Sequence, residues 1–168
     1  MICPQCGNDN LPGSEDCSRC QQDLTQLDRP AAQNHVERSL MEDPVSSLRP
    51  SKPVTLAPCA TVREAMNVML SKEIGALLIV DPSGHLLGIL SERDLLMKVA
   101  DPKFADVEQS LERFMTSSPE TVTSTDTLAF ALHKMDVGGY RHLPVLTGGM
   151  PTGVISVRDM LTHITRMC

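Results

Sequence analysis

The 168-residue sequence is poor in aromatic residues, with no Trp, one Tyr and three Phe. A platform of aromatic rings on which single-stranded bases could stack is therefore not expected. Basic residues are also few, since 15 Lys and Arg face 21 Asp and Glu. The formal net charge of −6 argues against general attraction to nucleic acid or anionic lipid. Aliphatic residues and ten Met must form the core instead.

Long hydrophobic runs are missing as well. No stretch is long enough to cross a bilayer, and the start Met1–Pro4 has no basic segment followed by an apolar one. We therefore expect a cytoplasmic protein without a signal peptide or a membrane partner. The length allows one modest core with a small appendage.

Four of the six cysteines form two CxxC pairs separated by ten residues, Cys3 with Cys6 and Cys17 with Cys20. Zinc prefers four thiolates in a tetrahedron, and a CxxC turn places two of them on one side of the ion. Because no leader points to an oxidising compartment, metal binding is favoured over two disulfides or four free thiols. An iron site of the rubredoxin type is the other alternative. We predict a structural Zn²⁺ in a small four-cysteine zinc ribbon over residues 1–25.

The spacing resembles a zinc ribbon, in which Gly7 gives the permissive backbone that turns amide groups toward the sulfur atoms. The second pair departs from that pattern, because Gln21 stands where a Gly is expected and Asp16 where an aromatic residue is expected. Residues 1–30 also carry five acidic residues against two Arg. We therefore expect a structural role or a protein contact for this segment, and the charge balance speaks against nucleic-acid binding.

Residues 26–46 are predicted to be a linker, since they are polar and contain Pro30 and Pro44. Within them, Ala31 to Glu42 predicts a short helix, and Pro44 would end it because proline disfavours helical geometry in the preceding residue. The segment is either a tether or a helix that docks on the rest of the chain.

The rest of the chain repeats itself. The heptad Gly88–Asp94 reappears at Gly153–Asp159, and a helical pattern follows both copies. The offset between matching residues is 66 up to the first helix and becomes 65 after a one-residue deletion placed before Leu78. Two β-α-β-β-α units are the natural interpretation, over residues 47–105 and 106–168.

Hydrophobic patterning predicts the elements of both units. The apolar run at 76–80 lacks alternation, which indicates a strand buried on both faces. In the first unit we expect strands at 54–56, 76–80 and 86–90 and helices at 61–70 and 92–99. In the second unit we expect strands at 121–123, 142–146 and 154–156 and helices at 128–135 and 158–165.

Each heptad lies where a strand turns into a helix, and the first turn of a helix offers unpaired N–H groups to an anion. The hydroxyl groups of Ser91 and Ser156 can join those amides on a phosphate. The carboxylates of Asp94 and Asp159 have two oxygens each for the hydroxyls of a ribose. Ser-x-x-Asp before an apolar helix is also typical of a capping box, which is the structural alternative. The two roles are compatible.

The repeat resembles the CBS motif, named after cystathionine β-synthase, over roughly residues 44–168. The resemblance is carried by the two heptads, the second strands, the Pro-x-Thr lead-ins at Pro53 and Pro119, and the Ala-x-x-x-Met helices at Ala65 and Ala131. It implies an α/β (α+β) fold in which tandem β-α-β-β-α CBS repeats form one module. It also implies binding of an adenosine-containing ligand such as AMP, ADP or ATP, without catalysis.

The resemblance also implies ligand contacts. In CBS modules a basic residue before the second strand often faces the ligand phosphate. Repeat two has Tyr140-Arg141-His142 at this position, aligned with Gly75-Ala76-Leu77 of repeat one. Arg141 and His142 therefore suit a phosphorylated nucleotide, whereas the position of Ala76 suits a neutral or cationic adenosine compound, or an empty site.

Further contacts follow from the same resemblance. Thr55 and Thr121 resemble residues that line the adenine or phosphate side of such sites. Arg93 and Arg158 either neutralise phosphate or pair with a neighbouring carboxylate. The complete set of expected ligand-binding residues is Thr55, Ala76, Ser91, Arg93, Asp94, Thr121, Arg141, His142, Ser156, Arg158 and Asp159.

These features favour a regulatory module that binds an adenine nucleotide and passes its occupancy to an unknown protein partner. The resemblance further implies a homodimer with an apolar helix face at its interface. One alternative is an enzyme, for which the sequence shows no recognisable base, nucleophile or open metal site. Another is a zinc-ribbon adaptor in transcription or RNA processes, with the repeats as a dimerisation scaffold. The four His other than His142 are interpreted as surface or half-buried side chains.

Overall fold

A computed structural model of the chain describes residues 1–25, 32–99 and 106–167. The chain divides into two compact units, Met1–Asn34 and His35–Cys168. Among the described residues, no helix has both the length and the apolar character needed to span a bilayer.

The first unit consists of two similar knuckles around the four cysteines. In the first knuckle the Cys3 N–H donates to the Asn8 C=O at 2.9 Å, and in the second the Cys17 N–H donates to the Gln22 C=O at 2.8 Å. Each knuckle is closed by one antiparallel bridge. Leu24 is fully buried against Cys3 and Cys17, so the apolar core of this unit is very small.

The second unit has the predicted order of two β-α-β-β-α repeats, with one helix in front of them and one short strand between them, β4, that was not predicted. The described elements are α1 (His35–Glu42), β1 (Thr55–Leu56), α2 (Val62–Lys72), β2 (Ala76–Val80), β3 (Leu86–Ser91), α3 (Glu92–Val99), β4 (Thr116–Ser117), β5 (Val122–Thr123), α4 (Leu128–Gly138), β6 (His142–Thr147), β7 (Met150–Ser156) and α5 (Val157–Thr165). Short 3₁₀ turns lie at Val45–Leu48 and Leu111–Arg113. The predicted mixed α+β fold is confirmed.

Local sequence signals set the ends of the helices. Thr61 caps α2, because its hydroxyl accepts from the Glu64 N–H at 3.1 Å while the Glu64 carboxylate accepts from the Thr61 N–H at 2.8 Å. α4 starts after the Thr127 cap and ends at Gly139, which has a φ of 64°. The equivalent residue after α2 is Glu73, which has a φ of 52°. A residue with a Cβ is less stable in this left-handed conformation than Gly, by about 1–2 kcal/mol.

The strands form two sheets. One has four strands in the order β1-β2-β3-β4, with β1 parallel to β2, and the other has three strands in the order β5-β6-β7, with β5 parallel to β6. β4 lies in the lead-in segment of the second repeat but pairs with β3 of the first. In the same way, Ser51 in the lead-in segment of the first repeat bridges to Val154 in β7 of the second. Each repeat therefore sends its lead-in segment to the sheet of the other repeat.

Each repeat has its own apolar core, and a third cluster lies between the repeats. Leu77 and Ile79 of β2 belong to the core of the first repeat. Leu78 belongs to the cluster between the repeats, together with Ile89 and Val154. β2 is thus covered on both faces, which explains why its sequence is apolar without alternation.

Helix α1 packs on the second repeat. The predicted helix runs from Ala31 to Glu42, but Ala31 lies outside the described residues and the observed helix begins at His35. α1 contacts α4, and Leu40 packs against the core that contains Met160. Of the two alternatives for this segment, the structure shows the docked helix.

The strand pairing corrects the sequence alignment of the two repeats. Ala76 pairs with Ser91 in the β2–β3 ladder, and His142 pairs with Ser156 in the β6–β7 ladder. His142 therefore corresponds to Ala76, whereas the sequence alignment matched Ala76 with Arg141. This one-residue error in the alignment could not be detected in the sequence, because an apolar strand matches another apolar run almost equally well after a shift of one residue.

The correct counterpart of Arg141 is Gly75. The Gly75 C=O accepts from the Glu92 N–H at 3.0 Å, and the Arg141 C=O accepts from the Val157 N–H at 3.0 Å. Glu92 therefore corresponds to Val157. The one-residue deletion lies in the turn between β6 and β7, and the prediction that it precedes Leu78 was wrong.

Candidate functional site

A cleft of about 570 Å³ lies between the two repeats. A cavity of this size holds a nucleotide-sized ligand. Segments far apart in sequence line it, because the lead-in of the first repeat and the end of α2 face the starts of β6 and α5. The lining residues are Ser51, Lys52, Val54, Glu73, Ile74, Gly75, Ala76, Glu92, Arg141, His142, Val154, Ile155, Ser156, Val157, Arg158 and Asp159.

The N-terminus of α5 forms one wall of the cleft. Asp159 Oδ2 accepts hydrogen bonds from the Ser156 N–H and the Ser156 hydroxyl, both at 2.7 Å. In return, the Asp159 N–H donates to Ser156 Oγ at 3.3 Å, which completes a capping box. No hydrogen bond among the described residues uses Oδ1 of Asp159. Capping thus occupies one carboxylate oxygen and leaves the other as an acceptor for a ligand hydroxyl.

The first heptad has the same geometry at the N-terminus of α3. Asp94 Oδ2 accepts from the Ser91 N–H at 2.9 Å and from the Ser91 hydroxyl at 2.6 Å. Neither residue, nor Arg93, is among the residues that line the 570 Å³ cleft. This cleft therefore contains the Ser-x-x-Asp group of the second heptad, whereas the first heptad contributes only Glu92.

His142 lies half-buried in the wall of the cleft, directly opposite Ser156 in the β6–β7 ladder. A Cβ added to Gly75 would lie 3.1 Å from His142 Nε2 and 3.6 Å from Glu92 Oε2. The imidazole ring therefore packs over Gly75, and the Glu92 carboxylate approaches the same point. A side chain at position 75 would therefore require the ring to shift by a few tenths of an ångström.

The charge of His142 depends on its surroundings. Burial and the positive charge of Arg141 lower the pKa of His142, while Asp159, Glu92 and Asp94 act in the opposite direction. The imidazole is therefore mostly neutral at pH 7, because its ordinary pKa is already about 6.5. A phosphate placed beside the ring would favour its protonated form.

The other charges in the cleft are balanced. Three side chains are cationic and three are acidic, namely Lys52, Arg141 and Arg158 against Glu73, Glu92 and Asp159. Lys52, Glu73 and Glu92 were not predicted from the sequence. Lys52 follows Ser51 in the lead-in segment, and Glu92 lies inside the first heptad. Both residues therefore belong to segments that the repeat had already singled out. Glu73 carries no sequence signal, because its place in the cleft depends on the bend after α2.

The remaining predicted residues lie partly inside and partly outside this cleft, and Thr55 and Thr121 are outside it. Thr55 pairs with Leu78 in the β1–β2 ladder, and the Thr121 C=O accepts from Lys134 Nζ at 2.9 Å. Ala76 does line the cleft. The side chains of Arg93 and Arg158 are exposed, and in the described ranges neither of them forms an ion pair.

The four cysteines of the first unit converge on one point. The Sγ atoms of Cys3, Cys6, Cys17 and Cys20 all lie within 4.8 Å of one another. The Cys3–Cys20 and Cys6–Cys17 Sγ···Sγ distances are both 3.6 Å. Four sulfur atoms at about 2.3 Å from a tetrahedral ion are about 3.8 Å apart. The arrangement fits a tetrahedral thiolate site, and the four cysteines are free rather than joined as disulfides.

Both knuckles have the same backbone conformation. Gly7 has a φ of 70° and its N–H donates to the Cys3 C=O at 2.9 Å, while Gln21 has a φ of 57° and its N–H donates to the Cys17 C=O at 2.9 Å. Gln21 therefore adopts the left-handed conformation that Gly supplies in the first knuckle. The departure from the usual ribbon pattern does not change the turn.

The thiols differ in acidity. Burial raises the pKa of Cys17, but hydrogen bonds from the N–H groups of Cys20 and Arg19, together with Cys6 and the buried Asn10, outweigh it and lower that pKa to about 6. In Cys20 a backbone N–H lowers the pKa, but burial and hydrogen bonds with the other three thiols raise it to about 12. Crowded thiols cannot all ionise unless a cation balances their charge, which is what a bound metal ion supplies.

A polar cluster outside the cleft joins α1 to α5. Ser39 Oγ lies 2.8 Å from His163 Nε2, the Ser39 hydroxyl donates to Asp43 Oδ2, and His163 Nε2 lies 3.6 Å from the same carboxylate oxygen. Because the hydroxyl proton is used on Asp43, the His163 Nε2–H donates to Ser39 Oγ. In a hydrolase triad the acid contacts the other ring nitrogen, so this is not that arrangement. We call Ser39, Asp43 and His163 the α1–α5 clasp. It was not predicted, because Ser39 and His163 are 124 residues apart in the sequence.

Comparison with known proteins finds relatives that match about 70% of the chain. An uncharacterized 17.7 kDa protein of Acidianus ambivalens is 30% identical over 121 residues, which cover 71% of this chain and 72% of that protein. A CBS domain-containing protein of Arabidopsis thaliana is 33% identical over 120 residues, which cover 71% of this chain but only 22% of that protein. The solved structure of a CBS domain protein from Pyrobaculum aerophilum, complexed with AMP, aligns with a TM-score of 0.65 and 28% identity over 73% of this chain and 98% of that one.

The family model of the CBS domain matches residues 38–101 and again residues 109–166. The two matches correspond to the two β-α-β-β-α repeats of the second unit. The chain belongs to the CBS domain family and contains a pair of these domains.

Proposed function

We propose that the second unit is a regulatory module that binds an adenosine-containing ligand in the cleft between its repeats. The observation that carries this proposal is the junction at Ser156–Asp159, where a helix N-terminus and a free carboxylate oxygen share one nucleotide-sized cavity with Arg141 and His142. The aligned protein of Pyrobaculum aerophilum, complexed with AMP, supports the choice of an adenine nucleotide.

Five side chains of the cleft have a definite role in this proposal. Oδ1 of Asp159 accepts from a ribose hydroxyl, because Oδ2 is already used in the capping box. The Arg158 N–H in the first turn of α5 binds phosphate, because the Val157 and Asp159 N–H groups already donate to the Arg141 C=O and to Ser156 Oγ. The Ser156 hydroxyl joins it only by releasing Asp159 Oδ2, and the guanidinium groups of Arg141 and Arg158 neutralise the phosphate. His142 adds a donor when it is protonated.

A second ligand position follows from the symmetry of the repeats. Ser91, Arg93 and Asp94 would form it, with Thr55 in β1 and Thr121 immediately before β5. Gly75 stands there in the place of Arg141, so this position offers less positive charge and binds anionic ligands more weakly.

For the first unit we propose a zinc ribbon over residues 1–25 with a structural Zn²⁺ held by Cys3, Cys6, Cys17 and Cys20. Four thiolates around one ion leave no open position for a substrate, so the ion would supply folding free energy. Residues 26–46 are the proposed linker, and residues 47–105 and 106–168 are the proposed CBS repeats.

We further propose that the chain forms a homodimer and passes ligand occupancy to a protein partner, which requires that the ligand binds two conformations with different affinity. Leu96 on α3 and Leu161 on α5 stand at equivalent positions of the repeats, and their side chains are 73% and 63% exposed. Exposed leucines at matched positions favour an apolar helix face that a second copy covers. Sedimentation equilibrium of the full chain measures its mass, and a monomer at micromolar concentration would contradict the dimer.

The ligand proposal is tested by calorimetric titration of the full chain with AMP. We expect Asp159→Ala to weaken binding by about 1.5–3 kcal/mol, the scale of a hydrogen bond to a charged group. Asp126→Ala is the matched control, because the Asp126 carboxylate also accepts from the N–H three residues before it, at 2.7 Å, but lies outside the cleft. Unchanged affinity in Asp159→Ala, or an equal loss in both variants, would remove Asp159 from the site.

A further inference from the structure

The proposed ligand site has an uneven distribution of charge. The second repeat supplies Arg141, Arg158 and His142 with one carboxylate, Asp159, whereas the first repeat supplies one cation, Lys52, with two carboxylates. We call these two carboxylates, Glu73 and Glu92, the acidic wall. We propose that the acidic wall makes the cleft select adenosine compounds with at most one 5′ phosphate over ADP and ATP. The inference rests on the proposed function, since it concerns the ligand of the same cleft.

Matched positions of the two repeats show where the unevenness comes from. Gly75 stands where the second repeat has Arg141, so the first repeat supplies no second guanidinium at this point. Glu92, the first residue of α3, stands where the second repeat has Val157. At these two positions the second repeat has a cation, Arg141, and an apolar residue, Val157. The first repeat has Gly75 and the carboxylate of Glu92 at the same positions.

Glu73 adds a second carboxylate at an unusual backbone position. It caps the C-terminus of α2 with a φ of 52°, and its counterpart after α4 is Gly139 with a φ of 64°. Gly would suit this left-handed position better than Glu does. The acidic side chain thus stands in the cleft although the local backbone does not favour it.

The order of groups along the cleft places the acidic wall beyond the first phosphate. Asp159 marks the ribose end. Ser156, which caps the same helix, is opposite His142 in the β6–β7 ladder, so the imidazole lies next to that end. The His142 ring packs over Gly75, and a Cβ there would be 3.6 Å from Glu92 Oε2. A 5′ phosphate beside His142 therefore has Glu92 as its next neighbour.

The cleft has no additional positive charge to neutralise the second and third phosphates of a longer chain. A monophosphate meets Arg141 and His142, but each further phosphate brings negative charge toward Glu92 and Glu73. The fixed cations of the cleft equal its acidic side chains in number, so no excess of positive charge remains for a triphosphate. Repulsion between like charges in a partly exposed site weakens binding by about tenfold for each close pair.

The test compares the full chain with the variant Glu73→Gln/Glu92→Gln by calorimetric titration with AMP and with ATP. Wild type should bind AMP at least about tenfold more tightly than ATP. The double variant should raise the affinity for ATP by about tenfold and change that for AMP by less than about threefold. Both effects should shrink at 1 M salt, where charges are screened over a shorter distance. Glu73→Gly is a second variant, which places at the end of α2 the residue found at the end of α4, Gly139. Because Gly favours the left-handed conformation of this position, the variant adds no backbone strain that could prevent folding.

Glu112→Gln is the matched control, because Glu112 is exposed and lies outside the cleft. It should leave the affinities for AMP and ATP unchanged. If wild type binds ATP as tightly as AMP, or if the double variant changes both affinities by the same factor, the acidic wall does not select the ligand, although the proposed function stands. If neither nucleotide binds, the proposed function falls and this inference with it.

Discussion

His142 links the protonation of one side chain to the filling of the cleft. Burial and Arg141 lower its pKa in the folded chain, so the neutral imidazole is the form that folding favours. Protonation of this residue therefore reduces stability as the pH falls below about 6.5, the value in an unfolded chain. A bound phosphate reverses the preference, since an adjacent anion raises the pKa of the ring. Binding of a phosphate would thus take up a proton.

We therefore expect the affinity for AMP to rise as the pH falls from 8 to 6, because His142 becomes protonated in the complex, where the phosphate raises its pKa. The increase should reach about tenfold for each unit by which the ligand raises that pKa. Calorimetry in several buffers measures both the affinity and the protons taken up. His142→Gln is the control, because the protonation of AMP itself is common to both proteins and cancels in the comparison. Equal pH dependence in the two proteins would show that His142 does not contact the phosphate.

Residues of the site differ in how far the sequence reveals them. Asp159 and Ser156 were predicted as ligand contacts because they belong to one motif of four consecutive residues at a strand-to-helix junction. A motif of this kind can be recognised in the sequence without knowledge of the fold. Glu73 was not, because its position in the cleft depends on a left-handed turn after α2 and on the packing of two repeats. Arg141 was predicted as a ligand contact, which stays a prediction. The structure places it in the lining of the cleft, and the sequence matched it with the wrong residue of the first repeat.

At the scale of elements, α5 joins two features of the molecule. Its N-terminus carries Ser156 and Asp159 of the cleft, and its last turn carries His163 of the α1–α5 clasp. A shift of this short helix would therefore change the contacts of both. α1 is held from a second side, because the Val45 N–H donates to the Asp126 C=O at 2.7 Å just after the helix.

The clasp should contribute measurably to stability. Ser39 is only 8% exposed and holds both Asp43 and His163. We expect Ser39→Ala to lower the free energy of unfolding by about 1 kcal/mol, the usual worth of a partly buried hydrogen bond. Urea denaturation followed by circular dichroism measures the loss. Ser47→Ala is the control, since Ser47 is exposed and its side chain makes no hydrogen bond among the described residues. A loss no larger than in the control would show that the clasp is not a stabilising contact.

The elements themselves were largely predictable. The observed α3 spans the predicted residues 92–99, and β2 spans the predicted residues 76–80, because Gly, Pro and apolar periodicity mark their ends. The pairing register was not predictable to one residue, since Leu77, Leu78 and Ile79 are interchangeable in an apolar pattern. Hydrogen-bonded ladders settle that register, and through it the match of Arg141 with Gly75.

At the scale of the whole molecule, the two units are stabilised in different ways. The second unit has three clusters of buried aliphatic side chains. The first unit has only Leu24 and two cysteines fully buried among its described apolar residues, and so little apolar surface cannot offset the entropy of ordering about 25 residues. If the proposed Zn²⁺ is bound, its binding free energy takes over the role of a core.

Removal of the metal should therefore unfold the first unit. We expect elemental analysis of the purified chain to find one Zn²⁺ per chain, and thiol titration to find Cys3, Cys6, Cys17 and Cys20 protected. A strong chelator should expose four further thiols and remove the protection of amide hydrogens in residues 1–25, because both knuckles are held through the sulfur atoms. Cys59, which is exposed, is the internal control and should react at the same rate before and after chelation. Iron in place of zinc, or four thiols that react equally fast with and without the chelator, would contradict the proposed zinc site.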